Sequence, residues 1–154
     1  MKSIYKSAIK ASKKIRDSII YAGHKILDKI SITSTGKYFR TGRVVKTRTG
    51  RISYTKPKPL PGKLTSRSGD LVRSLLGSRN FRTGGGVQDH IREIDVSSKN
   101  IKFTLGSNVR SKKGFDYPKY HEQHGRPFLE PAFEDNIRTA EKLLQIAVNK
   151  DVKL

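Results

Sequence analysis

The feature that most constrains this chain is a long basic segment without a single acidic residue. Between Asp28 and Asp70 there are eleven Lys and Arg residues and no Asp or Glu. Charges of one sign repel each other and are costly to bury, so this segment can lie only at a surface or against an anion. The core must therefore be built by the residues on either side of it.

The net charge of the whole chain divides in the same way. Residues 1–113 carry a net charge of +21 and residues 114–154 carry −1, which gives +20 over 154 residues. Polyphosphate is the commonest partner of such a segment, because each neutralised phosphate releases counterions. An acidic protein surface would serve equally well, and a solvated basic loop is the third alternative. At this length we expect one core and a single domain over residues 1–154.

Two amphipathic stretches predict a long helix before and after the basic segment. Apolar residues from Ile4 to Ile30 recur every three or four positions, with Lys on the opposite face. Gly23 weakens the middle of this helix and is a candidate break, while residues 31–36 are expected to end it. A second helix is predicted over residues 131–149. Its expected buried stripe consists of Phe133, Ile137, Ala140, Leu144, Ala147 and Val148.

The residues between these helices have the patterns of short strands and turns. A hairpin is expected where Val44, Val45, Ile52 and Tyr54 flank a Thr49-Gly50 turn. Ser68 is suited to cap a short helix over residues 69–76, and residues 91–96 and 101–106 alternate as two antiparallel strands do. We therefore expect an α+β fold: an antiparallel sheet of three to four strands packed by the two long helices. Residues 37–63 are expected to form a basic, Pro-containing hairpin arm or insertion.

No group of residues predicts catalysis. His121 and His124 flank Glu122 at a spacing of three, whereas a zincin helix places its two His residues at i and i+4, and a third ligand is unassigned. The absence of Cys excludes disulfides and thiolate metal sites. A metalloenzyme using the two His residues is thus the weakest of the functional alternatives, and we expect neither an enzyme nor a cofactor. No apolar run is long enough for a membrane span, and scattered Lys in residues 1–20 argue against a secretory signal.

The aromatic residues bear on how the basic segment would bind nucleic acid. Only Tyr38, Phe39 and Tyr54 interleave with its Lys and Arg residues, which favours contact with a phosphate backbone over stacking on bases. A small nucleic-acid-binding protein, ribosome-associated or DNA-compacting, is therefore one functional hypothesis.

A second hypothesis comes from the C-terminal third. Tyr117-Pro-Lys-Tyr-His-Glu-Gln-His-Gly125 followed by Arg126-Pro-Phe-Leu-Glu-Pro-Ala132 closely resembles the signature of the minor tail-component family of tailed bacteriophages, the neck or tail-completion proteins. In that family an aromatic strand leads through an Arg-Pro-Phe-Leu turn into a long terminal helix. Thr65-Ser-Arg-Ser-Gly-Asp-Leu-Val-Arg-Ser74 is similar to another family element. Residues 37–63 look like an insertion, and Gly125 joins Arg126 without the loop that family members usually carry.

This resemblance implies a structural virion protein at the neck, assembled in the bacterial host cytoplasm. It would form a homo-oligomeric ring, a hexamer or dodecamer, between a portal or adaptor protein and a tail tube or tail terminator protein, with DNA passing through. The residues expected to face DNA or a neighbouring ring are Arg40, Arg43, Lys46, Arg48, Arg51, Lys56 and Lys58. Those expected to be structural are Gly69, Leu71, Ser74, Tyr117, Glu122, Gly125, Arg126, Pro127, Phe128, Leu129 and Pro131. Within the block, Phe128 and Leu129 are expected to anchor in the core.

Overall fold

The fold is α+β, as the sequence predicts, and is dominated by two long helices. The computed structural model of the chain describes residues 2–41, 44–46, 48–50, 52–55, 58, 61, 63–66, 69–78, 85–97, 100–110, 114–124 and 127–152. The helices are α1 (Lys2–Thr33), α2 (Asp70–Leu75), α3 (Tyr117–Gln123) and α4 (Glu130–Val152). The strands are β1 (Phe39–Thr41), β2 (Val44–Lys46), β3 (Ile52–Tyr54), β4 (Leu64–Ser66), β5 (His90–Val96) and β6 (Ile101–Ser107).

The described strands form three separate pairs, so a single sheet of three to four strands is not confirmed. β5 and β6 are antiparallel, with Ile94 opposite Phe103, and β2 and β3 form the predicted hairpin, with Val45 opposite Ser53. β1 and β4 pair in parallel, with Phe39 opposite Leu64. Parallel strands need a crossover between them, and residues 42–63, which include the hairpin, are that crossover.

The first helix runs through the position where a break was considered. α1 is continuous past Gly23 and reaches Thr33, where a π-helical turn over Ser34–Tyr38 follows. Gly23 has a packing role, because a Cβ atom on it would lie 2.5 Å from Cε1 of Phe103 on β6. The predicted stripe is confirmed in the second half of the helix, where Ile19, Ala22, Ile26 and Ile30 are all buried, whereas Ala11 and Ile15 are half-buried.

The last helix is rotated relative to its predicted stripe. Ala132 and Ala147 are buried, but Phe133, Ile137 and Val148 are 50%, 45% and 38% exposed. α4 packs chiefly on α1, and the amide nitrogen Nδ2 of Asn136 donates to Oγ1 of Thr33 at 3.0 Å where the end of α1 meets the start of α4. The apolar arc of α4 is wider than the surface that α1 offers, so part of the predicted stripe stays uncovered.

The short helices also differ from expectation. α2 begins at Asp70 and is preceded by Gly69 at φ 83°, a left-handed conformation that Gly adopts easily, so Gly69 and not Ser68 stands at its N-cap. Tyr117–Gln123 is a helix, where the family resemblance implies a strand. Asp116 caps α3, because its Oδ1 accepts from the Lys119 amide at 3.0 Å.

Candidate functional site

Phe128 and Leu129, from the segment on which the family resemblance is based, lie at a hydrophobic cluster that joins β1, β4 and α2. Phe128 is completely buried, and its ring meets that of Phe39 edge to face with centroids 5.0 Å apart. Leu64 of β4 and Leu71 and Leu75 of α2 complete this cluster, and Leu129 packs against it. The expected anchoring in the core is confirmed for Phe128, whereas Leu129 is half-buried at the edge of the cluster.

Glu122 holds this segment in place from α3. Its Oε1 accepts hydrogen bonds from the backbone amides of Phe128, at 3.1 Å, and Leu129, at 2.9 Å. Hydrogen bonds to an ionised carboxylate are stronger than those between neutral groups. The half-buried Pro127 and Pro131 stand on either side of these amides. Glu122 thus positions the turn that sets the direction of α4; Gly125 and Arg126 lie outside the described residues, as does the side chain of Tyr117.

The second family-like element, in α2, is tied to its surroundings by buried hydroxyl groups. Ser74 is fully buried, and its Oγ lies 2.6 Å from Oγ of Ser107 on β6 and donates to the Leu71 carbonyl at 2.8 Å. Ser31 Oγ of α1 donates to the Leu75 carbonyl. These contacts explain why Leu71 and Ser74 are structural, and they give neither residue a catalytic geometry.

The basic segment is fastened to α4 where it leaves α1. Lys37 Nζ and Tyr38 Oη both donate to Oδ2 of Asp135, at 2.8 Å and 2.9 Å. The pKa of Asp135 is lowered, first by the hydrogen bond from Lys37 and second by the hydrogen bond from Tyr38. The hydrogen bond between Lys37 and Asp135 also raises the pKa of Lys37. Desolvation and the bond to Asp135 raise the pKa of Tyr38. Tyr38 and Phe39 therefore serve the body of the fold, although they interleave with the Lys and Arg residues of the basic segment in the sequence.

After Lys37 and Tyr38, most of the described basic residues of the segment are exposed to solvent. Lys46 on β2, Arg48 in the hairpin turn and Lys58 are exposed, whereas Arg40 on β1 is half-buried. No described carboxylate lies within ion-pair distance of any of these four. β2 and β3 contact each other and pack extensively on no other described element. The other expected contact residues, Arg43, Arg51 and Lys56, lie outside the described residues.

α1 adds a second basic surface. Lys10, Lys13, Lys14 and Arg16 are all exposed, and the nearby Asp17 is the one acid among them. Ile15, the large apolar residue on this stretch, is half-buried, and among the described side chains of α1 the first strongly exposed large apolar one is Tyr21. This surface therefore offers charge with little apolar area.

The metalloenzyme alternative, which needs His121 and His124 as ligands, can be compared with the described residues directly. His121 lies on α3 and His124 at its end, where His124 Nδ1 lies 2.8 Å from the Tyr120 carbonyl and its ring stacks on that of Tyr120 at 4.1 Å. Across the described part of the chain no three His, Asp or Glu side chains are grouped as metal ligands would be. None of the described helices is long and apolar enough to cross a bilayer.

Sequence reasoning missed three features of this arrangement. The two amides that Glu122 binds are six and seven residues away, a distance that no helix or turn motif encodes. The β1–β4 pair joins residues of distant sequence position, and its strands are too short to show alternation. The Lys37–Asp135 contact also joins distant parts of the chain. A single Lys before an aromatic residue gives no signal in the sequence that it will pair with a particular carboxylate.

Comparisons of the chain with models of protein families, with curated proteins and with solved structures gave no match. What the chain does must therefore be inferred from its own residues.

Proposed function

We propose that this chain is a structural protein of the phage neck, located at the head–tail junction of the virion, where copies of it form a ring around the DNA passage. The observation that carries the proposal is the basic hairpin β2–β3, which extends from a packed body with Lys46 and Arg48 exposed and unpaired within the described chain. Such a hairpin suits contact with an anionic partner that the protein does not chemically alter. The neck assignment itself rests on the family resemblance of residues 117–132.

In this function the chain works by binding alone. One face of the ring would contact a portal or adaptor protein and the other a tail tube or tail terminator protein. The exposed basic residues would contact packaged DNA or an acidic protein surface. The uncovered apolar residues of α4 and the exposed Phe115 and Tyr120, whose rings lie 5.1 Å apart, supply the aromatic and apolar area that protein interfaces use.

Native mass spectrometry of the purified chain over a range of concentrations tests this proposal. We expect a closed oligomer with one preferred subunit number, seen as rings by electron microscopy, because cyclic assemblies close with defined stoichiometry. A chain that stays monomeric at high concentration would contradict the proposal.

A small nucleic-acid-binding protein is the second candidate, and the basic surface of α1 favours it. Lys10, Lys13, Lys14 and Arg16 could bind a phosphate backbone together with the hairpin. Binding of the monomer to duplex DNA and RNA, titrated with salt, separates the two functions. Tight, sequence-selective binding by a monomer would favour this candidate, while weak and strongly salt-dependent binding by the oligomer fits a DNA passage.

A further inference from the structure

The last helix, α4, carries an apolar strip next to an acidic ridge, and both are uncovered. Phe133, Ile137 and Val148 recur at helical spacing and form the strip. Glu130, Glu134 and Glu141 are exposed and follow one another along its outer side, and we name these three residues the acidic ridge. None of the three lies within ion-pair distance of a described Lys or Arg.

A cavity opens beside this strip where α4 begins. It measures about 250 Å³ and lies between α1, β6 and the start of α4; Phe103, Leu105, Leu129 and Phe133 are among its lining residues. Glu130 is the one charged residue in the lining. Pockets for small molecules span roughly 300–1,000 Å³, so this cavity is better suited to an apolar side chain of a protein partner.

The chain itself offers the complementary surface. In a protein with a net charge of +20, a group of unpaired carboxylates attracts a basic partner, and the hairpin β2–β3 of another copy is such a partner. Val45 is 42% exposed and is followed by the exposed Lys46, with Arg48 in the turn. The basic surface of α1 fits less well, because it has no strongly exposed large apolar residue among its Lys and Arg residues.

We propose that the hairpin of one copy docks on α4 of the next copy through the edge of β2 that no described strand pairs with. Val45 and Lys46 point to opposite sides of this strand, so Val45 reaches the cavity and Phe133 on one side, while Lys46, with Arg48 in the turn, reaches the acidic ridge on the other. This proposal rests on the homo-oligomer proposed above and names the contact that builds it. Because the two surfaces differ, the contact is heterologous: each copy gives a hairpin to one neighbour and receives one from the other. A contact of that kind closes into a ring when its rotation permits.

Cross-linking tests the contact cleanly, because the chain contains no Cys. A Val45→Cys preparation is mixed with a mass-tagged Phe133→Cys preparation and treated with a short bismaleimide. We expect a covalent dimer between the two preparations, and a ladder of covalent oligomers from the double variant. Ile146→Cys is the matched control, since Ile146 is 62% exposed on another face of the same helix and should couple to Val45→Cys at background level.

Four results would overturn the docking proposal. These are equal coupling at Phe133 and Ile146, no coupling at either, a linkage within one chain in the double variant, and preferential coupling between two Phe133→Cys chains. The last would mean that the apolar strips of two copies face each other. If native mass spectrometry still shows a ring in any of these cases, the docking contact is wrong and the ring proposal stands. A monomer in that measurement contradicts both.

A charge exchange provides an independent measurement. Glu134→Lys combined with Glu141→Lys should weaken the oligomer about tenfold, because two exposed attractive contacts become repulsive. Lys46→Glu combined with Arg48→Glu should weaken it similarly. Mixing the two double variants should restore hetero-association, since the charges are again opposite at that contact. Failure of the mixture to associate while each variant remains folded by circular dichroism would contradict the pairing.

Discussion

At the scale of single residues, Glu122 decides how the chain turns into its last helix. Its carboxylate satisfies two backbone amides of the Phe128–Leu129 turn and is itself half-buried. Glu122→Ala leaves both amides without this partner, so we expect the free energy of unfolding to fall by about 2 kcal/mol. Urea unfolding followed by circular dichroism measures this. Gln123→Ala, at the exposed neighbouring position, is the control, and an equal loss in both variants would contradict the role of Glu122.

Asp135 gives a prediction about pH. Its pKa in the folded chain lies below its ordinary value, so its ionised form stabilises the fold above about pH 4, and this contribution disappears as the pH falls through the folded pKa. Lys37 has a raised pKa, so its contribution is complete below about pH 10 and is lost only as the pH rises through the folded pKa. The Lys37–Asp135 pair therefore stabilises the fold between these limits.

Comparison of the wild type with Asp135→Asn measures the pH range in which the Lys37–Asp135 pair stabilises the fold. The wild type should have the higher urea midpoint at about pH 6, and the two midpoints should converge as the pH approaches about 2. The difference should also shrink in high salt, because Lys37 and Asp135 are exposed in part. Glu93→Gln is the control, since Glu93 is exposed and has no described ion pair. A midpoint difference that does not depend on pH would contradict an ionic contribution.

At the scale of elements, Gly23 is the contact point of α1 with β6. An added Cβ atom would lie 2.5 Å from the Phe103 ring, so Gly23→Ala should destabilise the fold by about 1 to 2 kcal/mol although Ala favours helix. Thermal unfolding measures the effect. Gly36→Ala is the control, because nothing lies within 4 Å of a Cβ atom there. Phe103→Leu in the Gly23→Ala background should recover part of the loss; stabilisation by Gly23→Ala alone would contradict the close contact.

The two long helices show what periodicity can and cannot predict. In α1 the apolar residues form one narrow stripe, so their spacing also identifies the buried face, and Ile19, Ile26 and Ile30 are buried as expected. In α4 the apolar residues cover a wider arc. Periodicity then predicts the helix but cannot say which part of the arc faces α1, because that depends on the partner's shape. Phe133 and Ile137 were placed inside for this reason and are exposed.

At the scale of the whole molecule, local patterns predicted the class of the fold and the position of most elements. The β5–β6 pair and the hairpin β2–β3 join strands that are close in sequence, and turn residues mark both. The β1–β4 pair, the Phe39–Phe128 contact and the carboxylate of Glu122 join distant positions, and one sequence holds no local signal for them. The candidate site was predicted only in part for the same reason. The charge pattern of the sequence identified the basic residues. The apolar strip and the acidic ridge beside it could be identified only from the structure, because they depend on how α4 is rotated against α1.

The parallel pairing of β1 and β4 has a consequence for the order of events during synthesis. Phe39 and Leu64 close a much shorter loop than α1 and α4, which meet at Thr33 and Asn136 across 103 residues, and a longer loop costs more entropy to close. We therefore expect the crossover that carries the hairpin to be fixed first and α4, which follows it in the chain, to pack on α1 afterwards. A chain would then become able to receive a neighbour's hairpin only once its own body is complete, which protects half-folded copies from premature polymerisation.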